Sequence, residues 1–127
     1  MAFTITQSKS SPDKDILHLT ASGQATAVEF RADARNPFDA LLGPDWSTHL
    51  VLLNMENVSY FDSSAIGWLL SSQRDFKTNG GLLVLYSLTP NIRNILDLLK
   101  IGRIIPVAAD AAAGRTLLLN HAKPVHA

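Results

Sequence analysis

The chain has no cysteine, so its 127 residues can form neither a disulfide nor a thiolate metal site. Charge of one sign is also missing. Eleven basic and eleven acidic side chains cancel to a net charge of zero and are scattered along the sequence. That excludes the basic stripe of a nucleic-acid binder. No apolar run approaches the roughly 20 residues that a membrane-spanning helix needs. The start, Met1 to Thr6, has no basic segment followed by an apolar core. No signal peptide is read there, and a soluble cytoplasmic protein with no membrane contact is expected.

Catalytic patterns are absent too. His18, His49, His121 and His126 stand in unrelated contexts, without the H-x-x-x-H spacing or acidic cluster of a metal site. No serine sits in a G-x-S-x-G elbow. Gly80-Gly81 lies between an expected helix and an expected strand, the reverse of a phosphate-binding loop. No metal, no cofactor and no enzymatic activity are expected.

What is present suits one folded domain over residues 1–127, with 46% hydrophobic and 17% charged residues. Phe3–Gln7 alternates as a half-buried strand does, Ser8–Lys14 with Pro12 reads as a turn, and Ile16–Ala21 resumes strand character up to Gly23. The two strands can pair as a hairpin. Gln24–Arg35 fits strand and helix equally. Asn36-Pro37 opens a helix to Leu42 that Gly43-Pro44 stops. His49–Leu53 and Leu82–Tyr86 are short apolar runs, as strands buried on both faces should be.

Helices are expected from about Asp62 to Asn79, from Thr89-Pro90 to Gly102, and from Asp110 with Leu117 and Leu118 inward. Ile104–Val107 would be the last strand, and the tail His121–Ala127 carries no packing signal. The alternation after residue 50 implies an α/β fold: a mixed sheet of four or five strands with helices packed on it. The apolar faces place Leu52, Ile66, Leu69, Leu70, Val84, Ile95 and Leu99 in the core.

Val58 to Gly67 is the most informative stretch. It sets Asp62, Ser63 and Ser64 at a helix mouth, where unpaired amides and the helix dipole stabilise an anion. A serine there is a site for reversible phosphorylation, although from these residues alone plain capping by Asp62 or Ser63 is the first reading. Trp68 falls opposite the apolar stripe, among Ser64, Ser71 and Asp75. Either a neighbouring segment covers it or it anchors a partner, a role in which tryptophan is enriched.

Five elements in order, Asp62-Ser63-Ser64-Ala65-Ile66-Gly67, Gly80-Gly81, Leu82–Tyr86, Thr89-Pro90 and Ile104–Val107, resemble the STAS domain of bacterial anti-sigma-factor antagonists. The likeness runs from Val51 to Ala109; before it, only strand character and Gly23 match. The resemblance implies a STAS-like fold and a protein-binding switch. In that family the first serine of D-S-[ST] is phosphorylated by an anti-sigma factor that is itself a serine kinase. The unmodified antagonist binds that kinase, and a metal-dependent serine phosphatase restores it.

Carried across, Ser63 is the phosphoacceptor, Asp62 flanks it and Ser64 supports the helix start. The expected partner footprint is Asp62, Ser63, Ser64 and Trp68. Two positions depart from the family pattern. Ala65 replaces the usual glycine, which should stiffen the helix start and narrow the room beside Ser63, and Asn54 replaces an acidic residue. Two other readings stay open: a non-phosphorylated STAS scaffold or signalling-complex subunit that assembles with its own kind or other STAS proteins, and a small-ligand or nucleotide-binding module.

Overall fold

The computed structural model describes residues 3–7, 16–26 and 36–122. The expected turn at Ser8–Lys14, most of the ambiguous Gln24–Arg35 stretch and the end of the tail lie outside the described residues.

Among the described residues, five strands form one sheet in sequence order. β1 (Thr4–Gln7) pairs antiparallel with β2 (Ile16–Ala25). β3 (Leu50–Phe61), β4 (Leu82–Tyr86) and β5 (Val107–Ala108) then follow in parallel. α1 (Pro37–Leu42), α2 (Ser63–Thr78) and α3 (Pro90–Leu98) each connect two successive parallel strands, and α4 (Ala111–Ala122) ends the described chain. This is the expected mixed α/β sheet.

Two layers of core follow from strand alternation. Val51, Leu53, Leu83 and Leu85 point to the side covered by α1, α2 and α3, while Leu50, Leu52, Leu82 and Val84 point to the side covered by α4. The second layer is thin. At Gly114 in α4 an added Cβ would run into Leu52 Cδ1, so with any larger residue the buried Leu52 side chain would have to shift for the helix to lie this close to the sheet.

β3 is far longer than its apolar run. Asn54 to Phe61 stays extended because β2 accompanies it to the Ala25–Phe61 pair, through two register shifts between Thr20 and Gln24. Gly23, at φ +98°, supplies one irregular backbone position there. β5 starts at Val107 and not at Ile104 as expected, because the N–H groups of Ile104 and Ile105 both donate to the Ile101 carbonyl in the turn that follows Ile101–Arg103. Leu52, Leu69 and Val84 are fully buried. Ile66, Leu70 and Ile95 are only half-buried. Leu99 is exposed because it is the C-cap of α3, and Leu117 is exposed where Leu118 alone reaches the core.

Candidate functional site

The last bond between β2 and the β3 exit aims the chain into α2. The Asp62 N–H donates to the Ala25 carbonyl at 3.1 Å. Asp62 is then the N-cap, in extended backbone, and its Oδ1 accepts the Ala65 N–H at 3.1 Å. Its carbonyl accepts the first intrahelical bond, from the Ile66 N–H, also at 3.1 Å. The capping therefore falls to Asp62 and not to either serine. Ser63 is the first helical residue and is exposed; Ser64 is half-buried.

Ala65 is fully buried and its methyl belongs to the core, so the extra carbon lies inward, away from the exposed face that carries Ser63. One turn on, Gly67 is exposed on that outward face, and a Cβ there would meet nothing within 4 Å. The mouth thus presents one free hydroxyl beside a bare turn of helix.

Trp68 is not on the outward face. It is 6% exposed, which overturns the reading that made it a partner anchor. The buried stripe of α2 runs Ala65, Trp68, Leu69, Ser72, Gln73 and Phe76. It is rotated toward Trp68 because α1 and the residue before β1 cover that side. Phe38 stacks on the indole at 5.1 Å and Phe3 meets it edge-on at 5.5 Å. Asn36 completes the cover. Its Oδ1 caps α1 by accepting the Phe38 N–H at 2.9 Å and also accepts Trp68 Nε1–H at 3.1 Å, while its Nδ2 donates to Ser72 Oγ at 3.2 Å. Asn36-Pro37 is legible as a helix start; its second duty to Trp68 is not.

Gln73 is a further residue that the sequence does not announce. It is fully buried, with Oε1 accepting the Leu83 N–H at 2.9 Å and Nε2 donating to the carbonyls of Leu83 at 3.1 Å and Ile104 at 3.3 Å. Odd residues of β4 turn toward β5, as the Leu85 N–H bond to the Pro106 carbonyl at 3.0 Å shows. β5 starts too late to reach Leu83, so the Gln73 amide takes the place of a strand peptide and fixes α2 to the sheet.

Beside the mouth lies an open cleft of about 330 Å³ between the end of β3 and the first turns of α3. Tyr60, Phe61, Ile92 and Ile95 give it an apolar lining, and Asn91 and Asn94 give it amides. It escaped the sequence because β3 was expected to end near Leu53. On the other side of the sheet, burial pushes the Tyr86 phenol up, Glu56 adds to this, and a hydrogen bond with Asn54 opposes it. Among the described residues no group of three or more His, Asp or Glu can hold a metal ion, and no helix is long and apolar enough to cross a membrane.

A sheet in this order, helices on these faces and a serine at the start of α2 define a known class. The STAS domain family model matches residues 10–113, and the chain belongs to the STAS domain family. Similar solved structures agree on the fold. TM1081, a candidate anti-sigma factor antagonist of Thermotoga maritima, has a TM-score of 0.71 at 17% identity, over 84% of this chain and 90% of that one. An anti-sigma factor antagonist from Mycobacterium paratuberculosis has 0.69 at 14% identity, over 93% and 95%. The Bacillus cell fate determinant SpoIIAA, in its phosphorylated form, has 0.56 at 17% identity, over 91% and 99%.

Proposed function

We propose that this STAS domain is a non-enzymatic, phosphorylation-switched antagonist of an anti-sigma factor, acting in the cytoplasm. Unmodified, it binds an anti-sigma factor that is a serine kinase; phosphorylated on Ser63, it lets go, and a serine phosphatase resets it. The division of labour at the helix mouth carries this reading. Asp62 caps α2, so the exposed Ser63 hydroxyl has no structural duty and is available to a kinase. The similar SpoIIAA protein exists in a phosphorylated form, which suits the same modification here.

The charge arithmetic favours a switch at an interface over a change of fold. A phosphate adds about −1.5 to −2 charges at pH 7. The helix start stabilises that charge by about 0.3–1 kcal/mol. Asp62 opposes it, and no lysine or arginine lies between Glu56 and Gln73. The dianion therefore stays in place on an intact helix and disfavours any partner surface pressed against it. The footprint is Asp62, Ser63 and Ser64, with the neighbouring cleft replacing Trp68 as the seat for a partner side chain.

Phosphosite mapping of the protein isolated from its own cells, followed by affinity measurement with the kinase that modifies it, tests this directly. Phosphate on Ser63, tight binding by Ser63→Ala and none by Ser63→Asp are expected. Equal affinity of Ser63→Asp and the unmodified chain would refute charge repulsion as the mechanism. An unmodified Ser63 in a complex of STAS proteins would replace the switch with a scaffold.

A further inference from the structure

Leu98 is the most exposed large apolar side chain among the described residues, at 81%, and Leu99 and Ile104 near it stand at 55% and 45%. All three belong to one tightly turned stretch. α3 ends at Leu98, and the 3-10 turn Ile101–Arg103 follows at once. The Lys100 N–H donates to the Asp97 carbonyl at 3.1 Å and the Ile104 N–H to the Ile101 carbonyl at 2.8 Å. Ile101 and Ile105 are buried beneath it, so the exposed side chains are held outward on a fixed backbone. The cleft beside the helix mouth lies at the other end of α3.

Backbone strain marks the same stretch. Lys100 adopts φ +57°, ψ +35°, a left-handed conformation in which its Cβ is crowded and glycine is not. Gly102, two residues on, has no such φ. The chain keeps a lysine where glycine would be relaxed and a glycine where none is required. A left-handed residue after the C-cap is a common helix ending, usually glycine, so a lysine at this one keeps a charged side chain on the turn at some cost to the backbone.

Charge gives the third observation. From Ile92 to Ile104 the ionisable residues are Arg93, Lys100 and Arg103 against Asp97, a basic excess in a chain of zero net charge. All four are exposed.

We propose that Leu98, Leu99, Lys100 and Ile104 form a second docking surface, which takes an acidic, leucine-rich amphipathic helix of a partner protein. The three apolar side chains meet the apolar face of that helix, and Lys100 and Arg103 meet its carboxylates. A second copy docked through the same patch about a two-fold axis would bring three cations from each side together with Asp97 as the one carboxylate per copy to pair them, net positive charge against net positive charge. An anionic membrane surface offers the same charge to leucines beside cations, and the vesicle arm of the test separates it from a protein helix.

The test titrates the isotope-labelled full chain with two synthetic helical peptides that share a leucine face, one with glutamates and one with lysines opposite, and with anionic phospholipid vesicles. Saturable amide shifts confined to residues 98–104 are expected with the acidic peptide, which should bind about tenfold or more tightly than the basic one. Leu98→Asp should abolish the shifts while its spectrum stays folded, since the side chain it replaces is in solvent. Lys100→Gly should raise the melting temperature and weaken the acidic peptide by about fivefold, relief of strain and loss of a charge acting together. The proposal is overturned by shifts elsewhere or none, by equal binding of the two peptides, or by vesicle binding with neither peptide bound. It is overturned also by a Lys100→Gly chain that melts higher and binds unchanged.

Discussion

The first turn of α2 and the three turns behind it handle polar groups in opposite ways. In the body of the helix, Ser72 and Gln73 are fully buried, and Trp68 Nε1, Ser72 Oγ and both ends of the Gln73 amide have named partners. At the mouth, Ser63 is in solvent and Gly67 carries no side chain at all. Of the polar side chains there, Asp62 is the one that caps the helix. A buried polar group must be matched or it destabilises the fold, whereas an exposed one is free to be modified. The lesson is that one helix is held rigidly by its body so that its start can change charge without unfolding.

That contrast is most easily broken at Trp68. Trp68→Ala empties the space between Phe3 and Phe38 and strips a donor from Asn36. A loss of about 3–5 kcal/mol in denaturant titration is expected. A loss under about 1 kcal/mol would mean that the body of α2 is no better anchored than its mouth. Gln73→Leu comes next. It leaves the N–H and carbonyl of Leu83 without partners in the core, and a loss of about 2–4 kcal/mol is expected. Gln73→Glu would sharpen the point. Protonated, it keeps an acceptor for the Leu83 N–H and one O–H donor for the two carbonyls; ionised, it has no donor and a buried charge, so its stability should fall as pH rises.

How far the sequence told these regions apart depended on the physical signal available. The mouth was legible because capping and helix electrostatics are local: Asp62, Ser63 and Ser64 announce a helix start without reference to anything distant. The parallel sheet was legible because Leu50–Leu53 and Leu82–Tyr86 are apolar on both faces. The body of α2 was misread by part of a turn. Hydropathy alone favours Ile66 and Leu70 for the buried face over Ser72 and Gln73. What settled the rotation is a set of partners 10 to 65 residues away, Leu83, Asn36 and Phe3. Asn54–Phe61 hid in the same manner, since its strand character comes from pairing with β2 and not from its own side chains. Long-range hydrogen bonds leave no period in a sequence.

Asp62 marks the boundary between the two regimes. Asp62→Ala removes the acceptor for the Ala65 N–H, and a loss of about 0.5–2 kcal/mol is expected. The same change removes the negative charge beside Ser63, so a phosphate there should be tolerated better and release the partner less completely. Gly67→Ala runs the other way. Its backbone is helical and the space around it is open, so the added methyl should raise stability by about 0.5–1 kcal/mol. A destabilised Gly67→Ala would show that the outward face of α2 is packed after all.

The smallest expected effect is the most telling one. Ser63→Ala deletes a hydroxyl that caps nothing and lies in solvent, in a turn whose amide at Ala65 is already bound by Asp62. Surface changes of this sort usually stay within about 0.5 kcal/mol. Thermal melts of Ser63→Ala and the parent chain should therefore overlay, while Ser63→Asp, with a second carboxylate next to Asp62 at a helix start, should differ only slightly. A drop of more than about 1 kcal/mol in Ser63→Ala would mean that the hydroxyl helps hold the helix start. The first turn of α2 would then be structural like the rest, and phosphorylation at Ser63 would have to act by loosening the helix instead of by charging its surface.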